Sequence, residues 1–329
     1  MRIGIVGASG AVGAEIIKIL EERKFKVSSL SLFGSRRSAG KYLLFNKKRI
    51  RVKRLEKKYL KDLDLIFFSA GAEISKKFAH IATSNGAIVI DNSSAFRMNP
   101  EVPLIVPEIN SKDIKKIRNG IVANPNCTTV ISLMAIKPLH SLSRIDRVVA
   151  TSFQSVSGAG ARGMEELVNN TKNLLHNGKK FKNMVFEREI AFNVIPKIGD
   201  ITANLYSEEE MKLHNESRKI LSDNKINFTA TTVRVPVLRS HSISLNIEFK
   251  NKVSIGNAIN ALKKFPGLKV MGSRNNSYPT PIDATNRDHC IVGRIRSDFT
   301  VKNGISLWIV GDQIRKGAAL NAVQIAELL

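Results

Sequence analysis

From Arg2 the chain runs as a short apolar strand into a glycine turn, and then into a helix whose apolar residues Val12, Ile16, Ile17 and Leu20 recur at helical spacing. A second strand follows over residues 27–33. Residues 46–61 then alternate Arg49, Arg51 and Lys53 with Ile50 and Val52, the pattern of a half-buried strand with a basic solvent face that protects a sheet edge. Residues 63–69 are almost wholly apolar and end at Ala70-Gly71, before a helix from about Glu73 and another apolar strand over 87–90. Strands that are apolar on both faces and alternate with helices predict a parallel sheet covered on two sides. A short strand over 120–123 closes this part.

Beyond Cys127 the pattern changes. A helix to about Lys137 precedes a strand-rich run over 145–156, a glycine-rich turn and a helix over 164–176. Four more strands, over 227–235, 242–249, 290–296 and 305–310, outnumber the helices between them. The fold class read from this order is α/β: a doubly wound, Rossmann-type parallel sheet domain over 1–126, and an α+β domain with a largely antiparallel sheet over 127–311, to which the family resemblance given below assigns catalysis and dimerisation. The last stretch, 312–329, reads as an amphipathic helix that packs back on the first domain. A length of 329 residues suits two domains.

Hydrophobic residues make up 43% and charged residues 24%, which excludes a disordered chain. No apolar run approaches bilayer length, and Met1 leads straight into a strand, so a cytoplasmic protein with no membrane partner is expected. The 52 Lys and Arg outnumber the 28 Asp and Glu, a net charge of +24, and raise the question of nucleic acid. Because the basic residues are spread along the chain, the reading here is a solvated basic face and no nucleic-acid partner. Two cysteines, Cys127 and Cys290, in a reducing compartment leave a thiol for chemistry, and the scattered histidines show no metal-ligand spacing.

The turn Gly7-Ala8-Ser9-Gly10-Ala11-Val12-Gly13 follows a strand and opens a helix, the context in which small residues let a pyrophosphate reach the helix N-terminus. Its G-x-x-G-x-x-G spacing also suits a plain tight turn. After the second strand comes Ser35-Arg36-Arg37-Ser38, an arginine pair where an NAD enzyme tends to carry an acid, so NADP is the cofactor expected. In Asn124-Pro125-Asn126-Cys127-Thr128-Thr129, Asn126 is a plausible N-cap and Cys127 falls in the first turn, where the helix dipole favours a thiolate. A small buried cysteine at a domain junction is the alternative. Cys290 has no such helix start and is read as structural.

A thiolate can add to an aldehyde, and hydride loss from the adduct leaves a thioester. At this point the chain resembles the aspartate-semialdehyde dehydrogenase family, in Asn-Pro-Asn-Cys-Thr-Thr and in the G-x-x-G-x-x-G turn. Further blocks agree in order: Asp-Asn-Ser-Ser-Ala-Phe-Arg at 91–97, Ser-Phe-Gln-Ser-Val-Ser-Gly-Ala-Gly at 152–160, Glu-Ser-Arg-Lys-Ile at 216–220, Val-Arg-Val-Pro-Val at 233–237 with His241-Ser242, and Arg-Lys-Gly-Ala-Ala at 315–319. The resemblance implies Cys127 as nucleophile, His241 as general acid and base, and Gln154 orienting the acyl group. It further implies Arg97 and Lys219 on phosphate, Arg234 on the substrate α-carboxylate, Glu216 on the α-amino group, and a homodimer. Taken singly, Arg97 and Arg234 also read as surface charges, Glu216 and Lys219 as an intrahelical pair, and His241 and Gln154 as structural polar residues.

The activity implied is the NADPH-dependent reductive dephosphorylation of L-aspartyl 4-phosphate to the semialdehyde, with supply of lysine, methionine and threonine. Competing readings are N-acetyl-γ-glutamyl-phosphate reductase, whose acylated amine makes a carboxylate at Glu216 unhelpful, glyceraldehyde-3-phosphate dehydrogenase, and a basic nucleic-acid-binding protein on an inactive scaffold.

Overall fold

Seven strands build the first sheet: β1 (Arg2–Val6), β2 (Ser29–Gly34), β3 (Tyr42–Phe45), β4 (Lys48–Arg54), β5 (Leu65–Phe68), β6 (Ile88–Asp91) and β7 (Ile121–Ala123). The computed structural model describes residues 1–176, 183–272 and 277–329, which divide into two compact units, Met1–Asn126 with Ala318–Leu329, and Cys127–Gly317. In the first unit the sheet order is β3-β4-β2-β1-β5-β6-β7, parallel from β4 to β7. Helices α1 (Ala11–Glu22), α2 (Ala72–Ser84) and the short α3 (Pro107–Asn110) follow their strands. Ile3, Ile5, Leu65, Phe67, Ile90 and Val122 from the strands pack with Ile16 and Leu20 of α1 in one core. Each such buried side chain contributes about 1.5–3 kcal/mol of burial free energy. The order reverses at β1, whose neighbours are β2 and β5, so the carboxyl ends of these strands flank the crevice in which doubly wound sheets bind ligands.

The basic stretch is the second strand of a hairpin: β3 and β4 are antiparallel, joined through Asn46 and Lys47, both with positive φ, as a tight hairpin turn requires. Val52 points inward while Lys48, Arg49, Arg51, Lys53 and Arg54 are exposed, and β3 forms the edge. The C-terminal segment differs from its expectation. Residues 312–317 belong to the second unit, Arg315–Ala319 wind as a π-type turn, and the helix proper spans only Leu320–Ala326. That helix is buried nearly all round instead of amphipathic, and Asn321 donates to the carbonyl of Ile105 and the side chain of Asn124.

In the second unit, β8 (Ile145–Gln154), β9 (Asn227–Arg234), β10 (His241–Phe249), β11 (Leu268–Val270), β12 (Cys290–Asp298) and β13 (Gly304–Gly311) form a sheet of order β11-β12-β13-β10-β8-β9. Its three inner pairings are antiparallel and the two outer ones, β11 with β12 and β8 with β9, are parallel. The helices are α4 (Cys127–His140), α5 (Ala161–His176), α6 (Glu208–Leu221), α7 (Ile255–Lys264), which the apolar pattern did not signal, and the short α8 (Pro281–Ala284). α4 packs on β8, β10, β12 and β13 and against α6 and α7, which is why its whole middle, from Thr128 to Ile136, is buried. On the other face of the sheet Val149, Thr151, Phe153, Ser244, Asn246 and Trp308 are half-exposed. Among the described residues no helix is long and apolar enough to cross a membrane.

Candidate active site

Strand geometry explains how distant residues meet. Parallel β8 and β9 end together, with Gln154 in register with Arg234, and antiparallel β10 starts beside them at His241. Cys127 is the first residue of α4, with no acidic side chain in the first turn, so the N-terminal dipole of a fourteen-residue helix faces its sulfur unopposed. Cys127 Sγ lies 3.6 Å from His241 Nε2. Its main chain is crowded by Gly317, where a Cβ would come within 2.8 Å of Cys127 Cβ. Cys290, by contrast, is fully buried at the start of β12.

His241 is fully buried, and this burial, reinforced by the Arg234 charge, pushes its pKa well below the ordinary imidazole range, so the ring is neutral near pH 7. Its Nδ1 accepts the Ser155 backbone N–H at 3.1 Å. The carbonyl of the same Ser155 accepts Arg234 NH1 at 2.7 Å, so one residue holds both the imidazole and the guanidinium. Arg234 is 7% exposed; burial lowers its pKa, opposed by Glu209 and by Cys127, and its guanidinium lies over the Phe186 ring at 5.8 Å. Beside it opens a cavity of about 250 Å³ lined also by Phe186, Glu187, Lys197 and Asp200.

Gly158 leaves no slack here, because a Cβ would stand 2.8 Å from Arg234 NH1 and 3.4 Å from His241 Cε1. Gly158→Ala is therefore expected to lower kcat/KM by about tenfold or more, the scale of small misplacements at a reacting centre. Unaltered kinetics in a folded Gly158→Ala protein would show that this close approach is not needed.

The capping box of α6 uses Ser207 and Glu210, whereas Glu209 turns inward and is nearly buried. Glu209 accepts Gln154 Nε2 at 3.3 Å and Lys212 Nζ at 3.2 Å, so the Gln154 amide nitrogen faces a carboxylate that can only accept. Sequence reading missed Glu209, since nothing in the run Glu208-Glu209-Glu210 says which acid points inward. Farther along α6, Glu216 is buried, and burial lowers the pKa of Lys219 while Glu216 opposes that shift.

Arg97 lies in the first unit, 8% exposed, with its Nε and NH2 donating to the carbonyls of Asn124 and Asn92. The glycine turn there is tightly built. Gly7 has φ +84° and no room for a Cβ, which would meet the Ser69 carbonyl oxygen at 2.6 Å, and Gly13 backs onto Gly7. Gly10 caps α1 without a side chain, leaving the first-turn N–H groups of Ala11, Val12 and Gly13 facing a site where Ser9 and Gly10 are exposed. Ala8 is buried against the core. A cavity of about 220 Å³ at the ends of β1, β2 and β5 is lined by Gly7, Ser35, Arg36 and Arg54 on its polar side and by Leu55, Ile74 and Phe78 on its apolar side. This combination fits an adenosine with a phosphate on its ribose. Arg37 is exposed but does not line this cavity, because neighbouring side chains diverge round the turn, and Ser38 turns inward to donate to the Ser35 carbonyl. Arg54 was not singled out from the sequence; the β2–β4 register, Gly34 opposite Arg54, brings it here.

A cysteine at a helix start beside a buried imidazole, with a doubly wound nucleotide-type unit in the same chain, is the arrangement that a thiol-dependent dehydrogenase needs. Two family models match: "Semialdehyde dehydrogenase, NAD binding domain" over residues 2–117 and "Semialdehyde dehydrogenase, dimerisation domain" over 136–316. The chain belongs to the aspartate-semialdehyde dehydrogenase family. It is 48% identical to the aspartate-semialdehyde dehydrogenase of Synechocystis sp., over 100% of this chain and 97% of that protein, and 47% identical to that of Aquifex aeolicus with the same coverage. The crystal structure of aspartate semialdehyde dehydrogenase II from Vibrio cholerae superposes with a TM-score of 0.97 at 42% identity, covering 100% of this chain and 98% of that one. A second structure of the same enzyme, complexed with ASA, matches with equal TM-score and identity, covering 100% and 97%. These relatives lend no support to the N-acetyl-γ-glutamyl-phosphate reductase or nucleic-acid-binding readings.

Proposed function

We propose that this enzyme converts L-aspartyl 4-phosphate to L-aspartate 4-semialdehyde and phosphate with NADPH, serving lysine, methionine and threonine synthesis in the cytoplasm. The observation that carries the reading is Cys127 Sγ at a helix N-terminus, 3.6 Å from a buried neutral imidazole and electrostatically coupled to Arg234.

Cys127 attacks the acyl carbon as a thiolate, stabilised by the α4 dipole and the Arg234 charge, and a C–S bond replaces the C–O bond to phosphate, which leaves with its electron pair. Arg97 and Lys219 are assigned to the phosphate, Arg234 to the α-carboxylate, Glu216 to the α-ammonium and Gln154 to orientation of the acyl group, on the family resemblance. His241 keeps a hydrogen-bonding nitrogen at the sulfur. NADPH, when bound, supplies the hydride that reduces the thioester carbonyl. Collapse of the resulting tetrahedral adduct expels the Cys127 thiolate and frees the aldehyde. Incubation with semialdehyde and NADP in the absence of phosphate should give one burst of NADPH per site and a hydroxylamine-sensitive acyl group on the Cys127 peptide; a burst with no label on that peptide would defeat the scheme.

The choice of NADP rests on Arg36 and Arg54, which line the cavity with Ser35 and, among the described residues, form no ion pair with a carboxylate. Arg36→Gln and Arg54→Gln are each expected to raise KM for NADPH about tenfold while moving KM for NADH less than about twofold, the worth of a charge-assisted hydrogen bond. Equal effects on both cofactors would remove these residues from the 2′-phosphate. A homodimer built through the half-exposed face of the second sheet completes the reading, supported by the match of that unit to a dimerisation domain.

A further inference from the structure

Helix α5 turns its buried face towards the segment that lines the Arg234 cavity. Gly163, Glu166, Leu167 and Asn170 form that face, and Glu166 is a charged side chain only 1% exposed, whereas Glu165 beside it is exposed. Glu166 Oε2 accepts the backbone N–H groups of Met184 and Val185 at 2.9 and 2.6 Å, and its Oε1 accepts that of Phe186 at 3.2 Å. Three successive peptides can aim their N–H groups at one carboxylate only if the chain curls round it. Glu166 therefore fixes the backbone of 184–186, and with it the direction of the Phe186 side chain. Three residues earlier on the same helix face, Gly163 leaves room for the ring: a Cβ there would stand 3.1 Å from Phe186 Cζ. On its other side the ring meets the Arg234 guanidinium, whose centre lies 5.8 Å from the ring centroid, within cation–π range. Arg234 is thus held from two sides, by Phe186 and by the Ser155 carbonyl at NH1, and Arg234 and Phe186 line one cavity of about 250 Å³. The same segment is tied at its far end, where Ile195 and Arg234 exchange backbone hydrogen bonds at 2.9 and 2.8 Å.

We propose that Glu166 is a positioning residue for the amino acid end of the substrate, holding the 184–186 turn so that Phe186 supports the Arg234 guanidinium, on the reading that Arg234 binds the α-carboxylate. A guanidinium gives two parallel hydrogen bonds to a carboxylate only while its plane is held, and one that swings keeps its charge but loses that geometry. Phe186 supplies the support on one face, and Glu166, which never touches the substrate, determines where Phe186 stands. The α-carboxylate is remote from the carbon that reacts with Cys127, so a loosened grip weakens ground state and transition state alike. Its signature is a raised KM for the amino acid substrate at nearly constant kcat.

The test is steady-state kinetics of full-length Glu166→Gln and Phe186→Leu, with L-aspartate 4-semialdehyde, phosphate and NADP each varied in turn. Glutamine keeps the size of the side chain but sets an NH2 group against one of the three N–H donors. Leucine keeps an apolar group beside Gly163 and removes the ring from Arg234. Each variant should raise KM for the semialdehyde about tenfold, the scale of one lost hydrogen bond, and leave kcat and the KM values for phosphate and NADP within about twofold. The double variant should be no worse than the worse single one, because both break the same line of contacts. Glu165→Gln, on the exposed side of α5, should match wild type. An unchanged semialdehyde KM in either variant, effects that multiply in the double variant, or equal damage to all three substrates would overturn the proposal. Should Glu166→Gln fail to fold, the semialdehyde KM of Phe186→Leu decides alone. Arg234→Lys separates this inference from the reading beneath it. A lowered kcat/KM for the semialdehyde in Arg234→Lys, with none in the other two variants, would sink the role of Glu166 and Phe186 only. No change in any of the three would remove Arg234 from the α-carboxylate.

Discussion

Replacing Cys127 with serine is expected to lower turnover by at least about four orders of magnitude, as removal of an essential nucleophile does. Helix α4 can stabilise a thiolate because a thiol ionises within reach of neutral pH; a serine hydroxyl in the same place does not. The nucleotide cavity belongs to the other unit of the chain, so NADPH binding should persist in Cys127→Ser. Cys290 is buried with its sulfur against Gly311, and Cys290→Ser should remain active. Single-turnover kinetics of both variants check this: activity in Cys127→Ser, or its loss in Cys290→Ser alone, would overturn the assignment.

Arg234→Lys should be nearly as damaging as Arg234→Ala. The guanidinium already spends NH1 on the Ser155 carbonyl and lies against Phe186, and its fork leaves other N–H groups for a carboxylate. A lysine ammonium cannot span both partners, and in a site this buried the displaced contact is not replaced by bulk water. The expected loss is about 2–3 kcal/mol of transition-state stabilisation, or roughly a hundredfold in kcat/KM. It should fall on the amino acid substrate and leave phosphate saturation unchanged. A lysine variant within a few-fold of wild type, or one defective in phosphate saturation, would move the α-carboxylate elsewhere.

Much of this arrangement was legible in the chain, for reasons that differ by residue. The parallel sheet showed in apolar runs such as 63–69, and Cys127 showed because a helix start and a thiol are both local features. His241 and Arg234 were found only through the family resemblance, since an isolated histidine or arginine at a strand end has many ordinary uses. The supporting residues were not found. Gln313 stands 156 positions from Ser157 and meets it because β13 and β8, which precede the two residues, both flank β10 in the sheet. Arg54 was hidden among exposed basic neighbours until the β2–β4 register placed it beside Arg36. Glu209 differs from the capping Glu210 only by one step round the helix. The C-terminal stretch was read as amphipathic because its polar Asn321 is buried and hydrogen-bonded, which composition cannot reveal.

The central claim, a cysteine dehydrogenase for the four-carbon amino acid semialdehyde, is tested most directly by phosphate-dependent reduction of NADP with two aldehydes side by side, L-aspartate 4-semialdehyde and N-acetyl-L-glutamate 5-semialdehyde. The expected result is turnover of the first that requires phosphate and Cys127, and little or none of the second. Preference for the N-acetylated aldehyde, or turnover of aspartate semialdehyde that persists in Cys127→Ser, would contradict it.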